Sequence, residues 1–74
     1  MKKLKSRLRE IRTERGISQG KLADAVGIRR ETVNRIEAEE YNPSLWNVLE
    51  IAEYLGVRVE DLYYFEDDGE EKEK

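Results

Sequence analysis

Leu45, Val48, Leu49, Ala52 and Leu55 recur at offsets of 0, 3, 4, 7 and 10 residues, a spacing that an α-helix turns to one side. A strand would scatter the same residues over both its faces. Ser44 can cap this helix and Gly56 can end it, so the spacing predicts a helix over about 45–55. An apolar stripe of this kind has to be buried against other elements. With 74 residues the chain lies near the lower limit for a self-sufficient apolar core, and one compact domain is expected.

The remaining elements read as further short helices. Leu4, Leu8 and Ile11 stack on one helical face, which predicts a first helix over about 3–15 that stops at Gly16. Ser18 can cap a second over about 19–26, with Leu22, Ala23 and Val26 inward. Gly27 supplies the positive φ that a tight turn between helices needs, and Ile28 can plug the angle between them. A third helix over about 29–38 faces inward through Val33 and Ile36, leaving Arg29, Arg30, Glu31, Asn34 and Arg35 on other faces. Glu-Glu-Tyr-Asn-Pro-Ser (39–44) then breaks the periodicity at Pro43. A fifth helix over about 59–65 would set Leu62 and Phe65 against the core, before an acidic segment, 66–74, expected to be disordered. The fold class expected is all-α, with a domain over 1–65.

Composition narrows the chemistry. The chain has no Cys and no His, so thiolate and imidazole metal sites and His-based catalysis are outside its inventory, and no cofactor is expected. Its Glu residues form no arrangement with a base, metal site or phosphate-binding loop, so an enzyme is not expected. No apolar run approaches the roughly 20 residues that span a bilayer, and no signal-peptide core follows the basic start, so a cytoplasmic protein with no membrane partner is expected. The net charge of −3 conceals a division along the chain. Residues 1–35 carry eleven Lys or Arg against four acidic residues, a balance of +7, while residues 36–74 carry three against thirteen, a balance of −10. A high charge content by itself can reflect a surface laced with ion pairs, but it does not explain this segregation; a basic half can bind phosphate inside an acidic protein.

Ser18-Gln19, Leu22-Ala23, Val26-Gly27, Thr32-Val33, Ile36-Glu37, Asn42-Pro43-Ser44 and Gly56-Val57 stand in an order and spacing that resemble the helix-turn-helix domain of phage repressors and Cro. The resemblance covers roughly 1–65. It implies a lambda-repressor-like domain of five short helices in which the second and third form the helix-turn-helix, the third lying in a DNA major groove while the second crosses the backbone.

Residue by residue, the resemblance implies a phosphate contact for Gln19 at the start of helix 2, where free N–H groups and the dipole favour anions, and Gly20, Lys21 and Arg29 are further phosphate-binding candidates, the two cations through their own charge. It makes Arg30, Glu31, Thr32, Asn34 and Arg35 the base-reading candidates. The chemistry suits them: Arg30 can fork to guanine, Asn34 to an adenine edge, and Glu31 can accept from cytosine. Glu31 and Arg35, four apart, can alternatively pair on the helix surface. Arg12 and Glu37 match a structural pair linking helix 1 to the end of helix 3. The chain departs from the family pattern at Gly20, Lys21 and Arg29, and at Ala38-Glu39-Glu40, where relatives often have Asn-Gly and a basic residue. Two carboxylates beside phosphate would repel it, unless they point outward or pair with cations of helix 1.

The implied function is a sequence-specific double-stranded-DNA-binding transcriptional regulator, a repressor acting as a homodimer on a pseudo-palindromic operator. Trp46, Tyr63 and Tyr64 lack an obvious place in the core, and aromatic residues are enriched in interface cores, so they are the expected dimer contacts. The alternative from another class is an antitoxin or adaptor whose helix-turn-helix serves a protein partner.

Overall fold

The computed structural model describes residues 2–40 and 42–67. In chain order the elements are β1 (Lys2–Ser6), α1 (Leu8–Glu14), α2 (Gln19–Val26), α3 (Arg30–Glu37), α4 (Leu45–Leu55), α5 (Val59–Leu62) and β2 (Tyr63–Asp67). Five helices are present, but the fold is not all-α. β1 and β2, from opposite ends of the chain, pair antiparallel in a register that sets Lys2 opposite Asp67 and Ser6 opposite Tyr63.

The sheet shortens two of the expected helices. Leu4, Leu8 and Ile11 fit a helical stripe, yet residues 2–6 hydrogen-bond to a segment that local periodicity cannot reveal. That partner begins Tyr-Tyr-Phe, aromatic residues suited to a pleated, half-buried surface. The backbone N–H of Arg7 donates to the Leu62 carbonyl at 2.7 Å and seals the junction, so α1 starts at Leu8 and α5 stops at Leu62. Leu62 is buried as expected. Phe65 is not: it lies opposite Leu4, 64% exposed, with the Lys2 ammonium 4.8 Å above its ring. Glu66 and Asp67, the first two residues of the segment expected to be disordered, belong to β2; 68–74 lie outside the described residues.

The helices enclose one core of Leu8, Leu22, Ala23, Val33, Ile36, Ile51, Ala52, Leu55 and Leu62. Of the stripe on α4, Val48, Ala52 and Leu55 are buried together with Ile51, whereas Leu45 and Leu49 are 69% and 50% exposed. The inward face is therefore centred on 48, 51, 52 and 55, the same helical period rotated by part of a turn.

Local signals set the helix ends. The Ser18 hydroxyl accepts from the Lys21 N–H at 3.0 Å, and that of Ser44 from the Asn47 N–H at 3.1 Å. Lys21 removes only the acidic half of a capping box; the serine half stands. Gly27 takes φ +77° between α2 and α3, which lets its own N–H and that of Ile28 both donate to the Ala23 carbonyl, at 2.9 and 3.0 Å. Ala23, on α2, is buried in the core, where a small side chain suits close helix packing. No helix among the described residues is long and apolar enough to cross a membrane.

Candidate nucleic-acid interface

Val33 and Ile36 turn α3 inward and leave its opposite side to solvent. Arg29, Arg30, Glu31, Asn34 and Arg35 are exposed and Thr32 is half-buried. Arg30, Glu31 and Asn34 join Gln19 around an open cleft of about 280 Å³. A neighbouring cleft of about 550 Å³ is lined by Arg12, Ser18, Gln19, Gly20 and Arg30. Arg30 and Gln19 thus stand where the start of α2 meets the polar face of α3. Arg35 and Lys21 are exposed but line neither cleft. Glu31 lies 4.0 Å from the Arg29 guanidinium, so on this surface it faces Arg29 and not Arg35.

Beneath that face, a part-buried network ties α3 to α1 and to the start of α2. The carboxylate of Glu37 is fully enclosed and accepts from Arg12 Nε at 2.6 Å, Arg12 Nη2 at 3.1 Å and Gln19 Nε2 at 3.0 Å, with Arg9 Nε at 3.5 Å. Arg12 Nη1 donates to the Ile17 carbonyl at 2.8 Å, so α1, the loop before α2, and α3 converge on one ion pair. Burial opposes the charge on Glu37, but the hydrogen bonds from Arg12 and Gln19 and the Arg12 charge outweigh it and hold its pKa below the ordinary carboxylate value.

The same network redefines Gln19. Its side-chain amide donates to Glu37 and lies 3.5 Å from Asn34 Oδ1, while Gln19 still lines both open clefts. The groups left open at the start of α2 are the backbone N–H of Gln19 and of Gly20, which find no acceptor among the described residues.

Glu39 pairs with a nearby cation, and of the three aromatic residues without an expected core position Tyr63 has one. Just past α3, Glu39 has φ +61°, and its carboxylate accepts from the Ser6 N–H at 2.7 Å and meets Lys5 Nζ at 3.0 Å. The cation belongs to β1, not to a first helix. Those two contacts, Ser6 N–H first, hold the Glu39 pKa below the ordinary value. The sequence offered the pairing with a cation only as an alternative, because neither the strand β1 nor the Ser6 N–H that it presents is visible in local periodicity. Tyr63 is half-buried and packs against the core, Tyr64 lies under the Arg7 guanidinium at 4.3 Å, and Trp46 is 72% exposed.

Comparison with known proteins agrees with this geometry. A helix-turn-helix family profile matches residues 8–62. An uncharacterised HTH-type transcriptional regulator of Archaeoglobus fulgidus is 43% identical over 65 residues, 88% of this chain and 93% of that protein. One from Methanocaldococcus jannaschii is 37% identical over 65 residues, covering 88% and 98%. Among solved structures, the restriction-modification controller protein C.AhdI from Aeromonas hydrophila superposes with TM-score 0.70 at 40% identity, covering 74% of this chain and 83% of that one. The transcriptional regulator VanUg gives TM-score 0.75 at 25% identity, covering 90% and 89%. The order of the motifs, the packing of α2 against α3 across the Gly27 turn and these matches lead to one conclusion: the chain belongs to the Cro/C1-type helix-turn-helix family of DNA-binding transcriptional regulators.

Proposed function

We propose that this protein is a repressor that binds a pseudo-palindromic operator as a homodimer and reads bases through α3. The observation that carries the reading is the grouping of Arg30, Glu31 and Asn34 on one exposed face beside the start of α2. Arg30 forks to guanine, Asn34 reads an adenine edge, and Glu31 accepts from cytosine, with Thr32 and Arg35 at the margins of the same face. Arg29, Lys21 and the N–H groups of Gln19 and Gly20 bind phosphate. One short helix reads only a few base pairs, so useful specificity calls for two copies of α3 about 34 Å apart.

The dimer contact is the outer side of α4, where Leu45, Trp46 and Leu49 are exposed together. Such a cluster is a better candidate than Tyr63, which packs against its own core. Tyr64 stays in the proposed contact at its margin. Selection of bound sequences from random duplex DNA tests the reading. A palindromic consensus with half-sites about one helical turn apart is expected; no enriched sequence would favour the antitoxin or adaptor reading, in which the helix-turn-helix serves a protein partner.

A further inference from the structure

Glu39 occupies a backbone position that glycine fills at no steric cost. The N–H of Glu39 donates to the Ile36 carbonyl and that of Glu40 to the Arg35 carbonyl, each at 3.1 Å, a pairing that closes the end of α3 with Glu39 itself in the left-handed region. A non-glycine residue there is disfavoured by its own Cβ, so other contacts have to offset it. Two contacts do so: one carboxylate oxygen accepts from Ser6 N–H at 2.7 Å and the other meets Lys5 Nζ at 3.0 Å. Ser6 is also a junction, since its hydroxyl accepts from the Leu8 N–H at 3.1 Å at the start of α1. Its neighbour Arg7 is tied through its own N–H to Leu62, next to β2. The β1–β2 sheet is therefore joined, through Ser6 and Lys5, to the carboxylate that follows α3.

We propose that Glu39 is a positioning residue for base reading, a clamp by which the β1–β2 sheet holds the C-terminal end of α3 at a set angle. The proposal rests on the reading of α3 as the DNA-reading helix. It inverts the simplest view of a carboxylate near this surface, which is that it only repels phosphate. Lys5 neutralises Glu39 locally, and the side chain is committed to the protein. The two views predict opposite signs. Removing a purely repulsive charge tightens binding to every duplex; removing a clamp weakens binding to the right duplex alone.

The test compares the full chain with Glu39→Gly and Glu39→Gln by fluorescence anisotropy, on the duplex selected from random sequence and on a scrambled duplex of equal length. Glycine suits the left-handed backbone, so Glu39→Gly should fold. It is expected to lose about tenfold in affinity for the selected duplex, the scale of one charge-assisted hydrogen bond, and to bind the scrambled duplex no more weakly than the unaltered protein. Glu39→Gln keeps an acceptor for the Ser6 N–H and should restore most of the loss. Tighter binding of Glu39→Gly to both duplexes, or no restoration by Glu39→Gln, would overturn the proposal. If the unaltered protein binds neither duplex at low salt, it is the DNA-reading assignment that fails. Residual dipolar couplings of the α3 amides, referenced to α4, then decide the clamp alone: a change in Glu39→Gly that Glu39→Gln reverses supports it, and unchanged couplings overturn it.

Discussion

Arg12 Nε stands 2.6 Å from Glu37 Oε2 where α1 and α3 meet, and the Glu37 side chain has no access to solvent. Removing either partner strands the other. Arg12→Ala leaves a buried carboxylate, and Glu37→Ala leaves a guanidinium with only the Ile17 carbonyl. Each should cost about 3–5 kcal/mol in urea unfolding. The double substitution Arg12→Met/Glu37→Leu should cost less than the sum, because no uncompensated charge remains. Additive losses would mean that the two residues act independently.

Acid should weaken the fold through the same carboxylate. The folded pKa of Glu37 lies below its unfolded value of about 4.3. Its contribution is therefore present above that value and is lost as the pH falls through the lower, folded one. Glu39 acts with the same sign, held down first by the Ser6 N–H and then by Lys5. Urea midpoints measured from pH 7 down to pH 3, on either side of that unfolded value, should fall, and Glu37→Gln should flatten the fall even though it starts from a lower stability.

On DNA, Arg30→Ala and Lys21→Ala should separate. Arg30 lines both clefts, and its loss should cost about 1–3 kcal/mol on the best site and relax preference at one base position. Lys21 lines neither, and its loss should weaken all duplexes alike and reduce the salt dependence. Anisotropy titrations at several salt concentrations check both; equal loss of specificity would contradict the division of roles.

Gly20 sits in the first turn of α2, and a Cβ placed there would meet nothing within 4 Å. Gly20→Ala should therefore stabilise the protein by about 0.4–1 kcal/mol by restricting the unfolded chain. Thermal unfolding measures this. A weaker affinity for duplex DNA in the same, more stable variant would report close approach of phosphate to the N–H groups of Gln19 and Gly20.

Self-association should depend on α4. Trp46→Glu, and Leu49→Glu independently, should shift sedimentation equilibrium towards the monomer with helicity retained, since both residues are exposed in the single chain. A dimer that persists in both variants would move the interface elsewhere.

The helix-turn-helix was legible because its signals are local. Ser18 and Ser44 cap from within one turn, Gly27 bends the chain where it stands, and Val33 and Ile36 share a face through helical period alone. The partly wrong stripe on α4 marks the limit of that reasoning: Leu45 and Ile51 are equally apolar, and only the position of the neighbouring helices decides which one is covered.

By itself, then, the sequence determined the five helices, the α2–α3 turn and the residues that α3 turns to solvent, because periodicity, caps and glycine conformations act over a few residues. The tertiary structure decided the rest. Pairing of β1 with β2 joins opposite ends of the chain, and it replaced a helical reading of Leu4 that rested on three apolar residues. The commitment of the Gln19 amide to Glu37 and the capture of Glu39 by Ser6 and Lys5 require groups remote in sequence to meet within hydrogen-bonding distance. A carboxylate in the sequence has no assigned partner; its surroundings in the fold determine whether it repels phosphate or holds a helix.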